Sequence, residues 1–160
     1  MALALAHQQA GQLGEAEQVC RQILLTDPAN ADAWRLVGTI ARQAGNYEVA
    51  AHCLKRALEI RPEWSDAYNS LGNVHKDQGR PRDAISLYRR AIELDPNHAD
   101  AHYNVGDALR ELGQANEAVA WYRRAIDLDG GHVKAVNNLA LTLQGQGKLD
   151  EAAMWLQRAI

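Results

Sequence analysis

Histidine, cysteine and serine are the side chains here through which a reaction or a metal site would be built, and none sits in a reactive setting. His98 and His102 stand four residues apart, a spacing at which two imidazoles on a helix can share a metal. However, His132 repeats His98 one interval later, which marks a turn residue, and His102 fills a position taken elsewhere by Trp34 and Tyr68. The three serines, Ser65, Ser70 and Ser86, lie outside any nucleophile-elbow context. Glycines stand alone at helix ends, so no phosphate-cradling loop is present. Cys20 and Cys53 are too few for a disulfide framework. Both fall among apolar neighbours, where a reduced thiol packs as a small hydrophobe. A disulfide between them requires neighbouring helices to bring them within bonding distance. The reading is therefore no catalytic residue, no metal and no cofactor: not an enzyme.

Amides and charges are the chemistry that remains. Asp66, Asn69, Ser70, Asn73, Lys76 and Asp77 recur at helical spacing, on one stripe. Asparagine is a mediocre helix former, yet several lie in mid-helix on this stripe. An amide both donates and accepts, which suits the backbone of an extended peptide. Related positions along the chain form columns. One runs Gln8, Arg42, Lys76, Arg110 and Gln144; another runs Asp32, Asp66, Asp100 and Lys134; a third runs Leu36, Ser70, Asn104 and Asn138. Tyr103, Asp107 and Asn137 lie beside them. The Asp column falls at helix N-termini, where a carboxylate offsets the macrodipole, and the Arg/Lys column falls near helix C-termini for the same reason. Candidate peptide-contact residues are Arg42, Asn69, Asn73, Lys76, Tyr103, Asn104, Arg110, Asn137 and Asn138.

These columns need a framework that repeats. Glycines at 11, 45, 79, 113 and 147 recur every 34 residues. Ala16, Ala50, Ala84, Ala118 and Ala152 keep the same interval, as do Ala57, Ala91, Ala125 and Ala159, and Ala33, Ala67, Ala101 and Ala135. Small residues recur at Ala4, Gly38, Gly72, Gly106 and Ala140, and Pro28, Pro62 and Pro96 mark unit ends, with Gly130 in the fourth slot. Each interval reads as two helices. Tyr68, Leu71, Gly72 and His75 follow one helical face. Gly79 then turns the chain with positive φ, and Pro81 opens the second helix, where its missing N–H costs nothing. Ala84, Tyr88, Ala91 and Ile92 face the core, and Pro96 stops the helix. Short turns imply antiparallel neighbours, and small residues let their axes approach closely. That packing rule accounts for 28 alanines in a chain without phenylalanine.

The unit, with Trp34, Val37, Gly38, Ala41, Ala50, Leu54, Ala57 and Pro62, and again Tyr68, Leu71, Gly72, His75, Ala84, Tyr88, Ala91 and Pro96, resembles the tetratricopeptide repeat. His102, Val105, Gly106, Leu109, Ala118, Tyr122 and Ala125 continue it. The resemblance implies an all-α fold, a right-handed α-solenoid of about five units. They span 1–30 (partial), 31–64, 65–98, 99–132 and 133–160 (partial), in one domain. It places the Asn-bearing stripe in a concave groove. The segment Asp66–Gly79 and the run ending at Pro96 are also similar to repeats of O-linked N-acetylglucosamine transferases, whose superhelix carries an asparagine ladder. Asn104 and Asn138 match that ladder, and Ser70 and Leu36 depart from it. Chaperone-binding members grip a carboxylate through Lys and Asn. The matching positions here are Arg35, Thr39, Ser70, Asp100 and Asn104, and Asp100 would repel such a ligand.

Charge and composition narrow the classes further. A net charge of −3 and a pI near 6.0 argue against bulk nucleic-acid or anionic-membrane binding. The doublets Lys55-Arg56, Arg89-Arg90 and Arg123-Arg124 are each followed by an acid, Glu59, Glu93 or Asp127, expected to pair locally. No apolar run approaches the roughly 20 residues a membrane span needs, and the N-terminus lacks a signal-peptide pattern. The expectation is a cytoplasmic, non-catalytic interaction module that binds a protein or peptide segment in its groove. Two alternatives stand beside it: the substrate-recognition arm of a glycosyltransferase with its catalytic domain elsewhere, and a scaffold that self-associates head to tail through uncapped ends. Gly130-Gly131, where other joints carry Pro, is expected to be the most deformable turn.

Overall fold

A computed structural model of the chain describes residues 1–158. Ten helices follow in order among them: α1 (Ala2–Gln9), α2 (Leu13–Thr26), α3 (Ala31–Gln43), α4 (Tyr47–Ile60), α5 (Ser65–Asp77), α6 (Pro81–Leu94), α7 (Ala99–Glu111), α8 (Ala115–Leu128), α9 (Val133–Gly145) and α10 (Leu149–Arg158). Each odd-numbered helix packs on the even-numbered one that follows, and each even-numbered helix packs on the next odd one. The result is an all-α solenoid of helical hairpins.

Its curvature follows from which helices meet. α3 touches α5, α5 touches α7 and α7 touches α9, whereas successive even helices make no such contact among the described residues. The odd helices therefore line the inner face, and the even helices splay apart on the outer face.

Two glycine columns make this packing possible. Gly79 has φ +72°, a left-handed conformation that only glycine adopts without strain, and the glycines of its column share it. Gly72 serves close approach instead. A Cβ there would lie 2.4 Å from Tyr88 Cε1, and Gly38 and Gly106 are similarly crowded by Leu54 and Tyr122. The three alanine columns are buried to 1% exposure or less as far as Ala152, and Ala159 lies outside the described residues. Large core side chains are then few: Tyr88, Tyr122, Leu36, Leu54, Leu139 and Leu143 fill the space between hairpins.

Aspartates close three of the four turns between units. Asp27, Asp95 and Asp129 each accept a hydrogen bond from the backbone N–H two residues on, at 3.3, 3.0 and 3.0 Å. The Gly130-Gly131 turn closes by the same bond as its Pro96 counterpart, and neither glycine needs positive φ.

Candidate functional site

The inner face is where the amides and charges gather, and the structure shows them tied to one another across units. Asn104 Nδ2 donates to Asn69 Oδ1 at 2.9 Å, linking α7 to α5. Asn138 Nδ2, on α9, donates to Tyr103 Oη at 3.2 Å and to Asp107 Oδ1 at 3.1 Å. Asn73 Oδ1 accepts from the buried Tyr88 hydroxyl at 2.8 Å. Arg42 reaches forward to Asp77 at 2.7 Å, and Lys76 to Asp107 at 2.6 Å. Arg110 bonds the same Asp107 carboxylate at 3.0 Å.

Asp107 is the centre of this network, with Lys76, Arg110 and Asn138 all donating to it. Burial alone would raise its pKa. The bonds and charges of Lys76 and Arg110 outweigh burial and hold the carboxyl below the usual range, so it stays ionised. A carboxylate only accepts, so Asn138 must turn Nδ2 toward it, which leaves Asn138 Oδ1 as the acceptor offered to a ligand. Two cations share this one anion.

The stripe is therefore less open than an exposed helix face. Asn104 and Asp107 are buried at 7%, Asn69, Asn73, Lys76, Tyr103 and Asn138 are half-buried, and Arg110 and Asn137 face solvent. Tyr103 lies between the rings of Tyr122 and His132, at 5.9 and 5.0 Å, so its own ring is largely taken up by the fold. Inter-unit bonding takes up part of the amide capacity that sequence spacing assigns to a ligand. Asp107 is the residue that spacing underrates. Its one signal is a carboxylate in mid-helix, at the position of Thr39 and Asn73, flanked by Lys and Arg of adjoining columns.

The Asp column also does more than offset helix dipoles. Asp32 bonds Arg61 at 3.0 Å, Asp66 lies 3.2 Å from His98 Nε2, and Asp100 bonds His132 Nε2 at 3.1 Å. Each ties the start of one hairpin to the residues that lead into the next. The Asp66 contact raises the pKa of His98 against burial, which would lower it, and Asp66 is lowered in turn. His132 differs: its Nδ1 accepts from Ala135 N–H and caps α9. Both histidines occupy the turn positions that their recurrence implies. His102 is buried, with Nε2 on the Pro96 carbonyl as Trp34 Nε1 is on that of Pro28. No group of three potential metal ligands occurs among the described residues. Both cysteines are buried, free thiols.

The outer face matches local pairing in two of three units. Arg56 bonds Glu59, and Arg90 bonds Glu93 at 2.9 Å. The expected Arg123-Arg124 pairing to Asp127 is not formed; Arg123 bonds Glu151 on α10. At the position of Glu59 and Glu93 the later unit has Asp127, one methylene shorter, while Glu151 of α10 lies within reach of Arg123.

Stacked hairpins with a polar, curved inner face define a helical-repeat protein that works by contact with other proteins. The chain belongs to the tetratricopeptide repeat family, whose patterns match residues 1–22, 31–97, 69–133 and 134–160. No curated protein matches it in sequence. Among solved structures it is similar to MamA, at 25% identity and a TM-score of 0.80, covering 99% of this chain and 93% of that one. It is also similar to YrrB, a TPR protein with an unusual peptide-binding site, at 25% identity and a TM-score of 0.69, covering 98% and 81%. PilF of Pseudomonas aeruginosa shares the fold, with a TM-score of 0.90 at 19% identity, covering 99% and 72%. No helix among the described residues is long and apolar enough to cross a membrane.

Proposed function

We propose that the inner groove binds an extended segment of a partner protein, and that the chain acts as a non-catalytic adaptor. The observation that carries this is the Asp107 network. It presents pre-oriented amides and two cations around one buried carboxylate, on a concave face formed by α5, α7 and α9. Asn69 Nδ2 and Asn73 Nδ2 are turned away from their internal bonds as donors, and Asn138 Oδ1 is left as an acceptor. A peptide main chain needs both. Arg42, Lys76 and Arg110 favour acidic groups on the ligand, Asn137 adds an exposed amide, and Tyr103 supplies a ring edge. The peptide-binding site of YrrB, a structural relative, supports the same use of this fold. Two buried reduced thiols suit a cytoplasmic compartment.

The test is a partner segment recovered by pull-down and resynthesised as a peptide. The Asn69→Ala/Asn104→Ala/Asn138→Ala variant, checked by circular dichroism for retained helix, is expected to bind it at least about tenfold more weakly, about 1.4 kcal/mol. Equal affinity for wild type and variant overturns the groove as the binding site.

A further inference from the structure

The outer face carries a second feature, confined to one place. A cleft of about 550 Å³ opens between α2 and α4, over α3, with Leu24, Leu25, Trp34, Val49 and Cys53 on its walls. The repeat register explains why it is open here. Cys53 stands where the next units have Leu87 and Trp121. Those larger side chains occupy the equivalent space, Trp121 with its ring 5.5 Å from that of His102. Cys53 leaves that space empty.

The same register explains why the cleft is apolar. Leu25 occupies the position of Glu59 and Glu93, and Gln22 that of Arg56 and Arg90, so the outer ion pair of later units is missing. Val49 occupies the position of Asp83 and Glu117. Leu25 is 75% exposed and Val49 41% exposed. Two acids have thus been exchanged for two solvent-facing hydrophobes around a cavity, on a face otherwise covered with charge. Arg21 is the one charged residue in the lining; it bonds Glu17 at 2.7 Å through one side of its guanidinium and is 69% exposed, so a further carboxylate can reach it.

We propose that this outer cleft docks an amphipathic helix of a partner protein, inserting a bulky apolar side chain over Cys53 with a carboxylate one turn away on Arg21. Two splayed helices with an apolar floor form the groove that such a helix fits. The buried anchor supplies affinity, as a side chain filling a desolvated pocket does. The acid is specified by charge complementarity: Leu25, Val49 and Gln22 replace two acids and one arginine of the later units, and Arg21 is the charge left in the lining. This site is separate from the inner groove, so two partners, or two segments of one, can be held together.

The experiment uses a displayed library of helical peptides, selected on the whole chain with counter-selection on a Leu25→Glu/Val49→Asp variant. Glu and Asp are the residues other units carry at these positions, so the variant keeps the fold, and circular dichroism verifies it. Surviving peptides are expected to carry a bulky apolar residue with Asp or Glu three or four positions away, and to bind the variant at least about tenfold more weakly. Arg21→Glu should weaken them, and a peptide with that acid changed to Lys should recover. The proposal is overturned if no peptide survives, if survivors lack the acid, or if Arg21→Glu leaves binding unchanged. It is also overturned if sedimentation shows wild type dimerising through Leu25 and Val49, since a second copy is then the occupant.

Discussion

The two faces of this solenoid use charge in opposite ways. On the inner face, polar contacts run between units: Arg42 to Asp77, Lys76 to Asp107, Asn104 to Asn69 and Asn138 to Tyr103 each span 31–35 residues. On the outer face most stay local, three or four residues apart: Arg21 to Glu17, Arg56 to Glu59, Arg80 to Asp83 and Arg90 to Glu93, with Arg123 to Glu151 the exception. The inner contacts fix how one hairpin sits on the next, and so set the groove's width and the direction of its amides. The outer contacts neutralise and solvate a surface. A polar residue in a repeat protein therefore acquires meaning from whether its partner lies in its own unit or the neighbour's.

The sharpest break of this contrast is at Asp107. Asp107→Ala leaves Lys76 half-buried without its anion and frees Arg110 and Asn138, and is expected to cost about 2–4 kcal/mol. Denaturant unfolding measures it, and a loss below about 0.5 kcal/mol would place Asp107 with the outer, local pairs. Gly72→Ala comes next, at about 1–3 kcal/mol, because the new methyl must displace the buried Tyr88 ring. A smaller change in thermal midpoint than an exposed helical Gly→Ala produces would mean that the hairpin opens freely.

The joints between units give a pH-dependent version of the same comparison. His98 is raised by its contact with Asp66. A raised histidine contributes stability that is complete below its ordinary pKa, near 6.5, and is lost as pH rises through the raised value. Asp66→Asn is expected to bring the His98 pKa down in an NMR titration and to remove that pH dependence. Arg61 makes the equivalent tie to Asp32 in the earlier joint. An unchanged His98 titration would detach this clasp from the joint. The smallest effect belongs to the outer face: Arg90→Ala is expected to leave the denaturation midpoint essentially unchanged. A clear drop would erase the distinction between the faces.

Much of the fold was legible in the residues, since each column carries its own reason. The glycines at 45, 79 and 113 are needed for positive φ, Gly72 for Tyr88, and the alanines for close helices. Pairings between units were not, because a column states which residues share a face and says nothing of rotamers. Lys76 could have bonded its own helix; it reaches Asp107 of the next unit. Arg123 is the reverse case, expected to pair with Asp127 and drawn instead to Glu151. The outer cleft is readable only by subtraction, from what Leu25, Val49 and Cys53 replace.

The central claim is that a partner's extended segment lies along the inner face. The direct measurement is NMR mapping of side-chain amide resonances while the pull-down-derived peptide is titrated into the whole chain. Asn69, Asn73, Asn104, Asn137 and Asn138 are expected to shift together and saturate with one affinity. Saturating binding that leaves all five unmoved would contradict it.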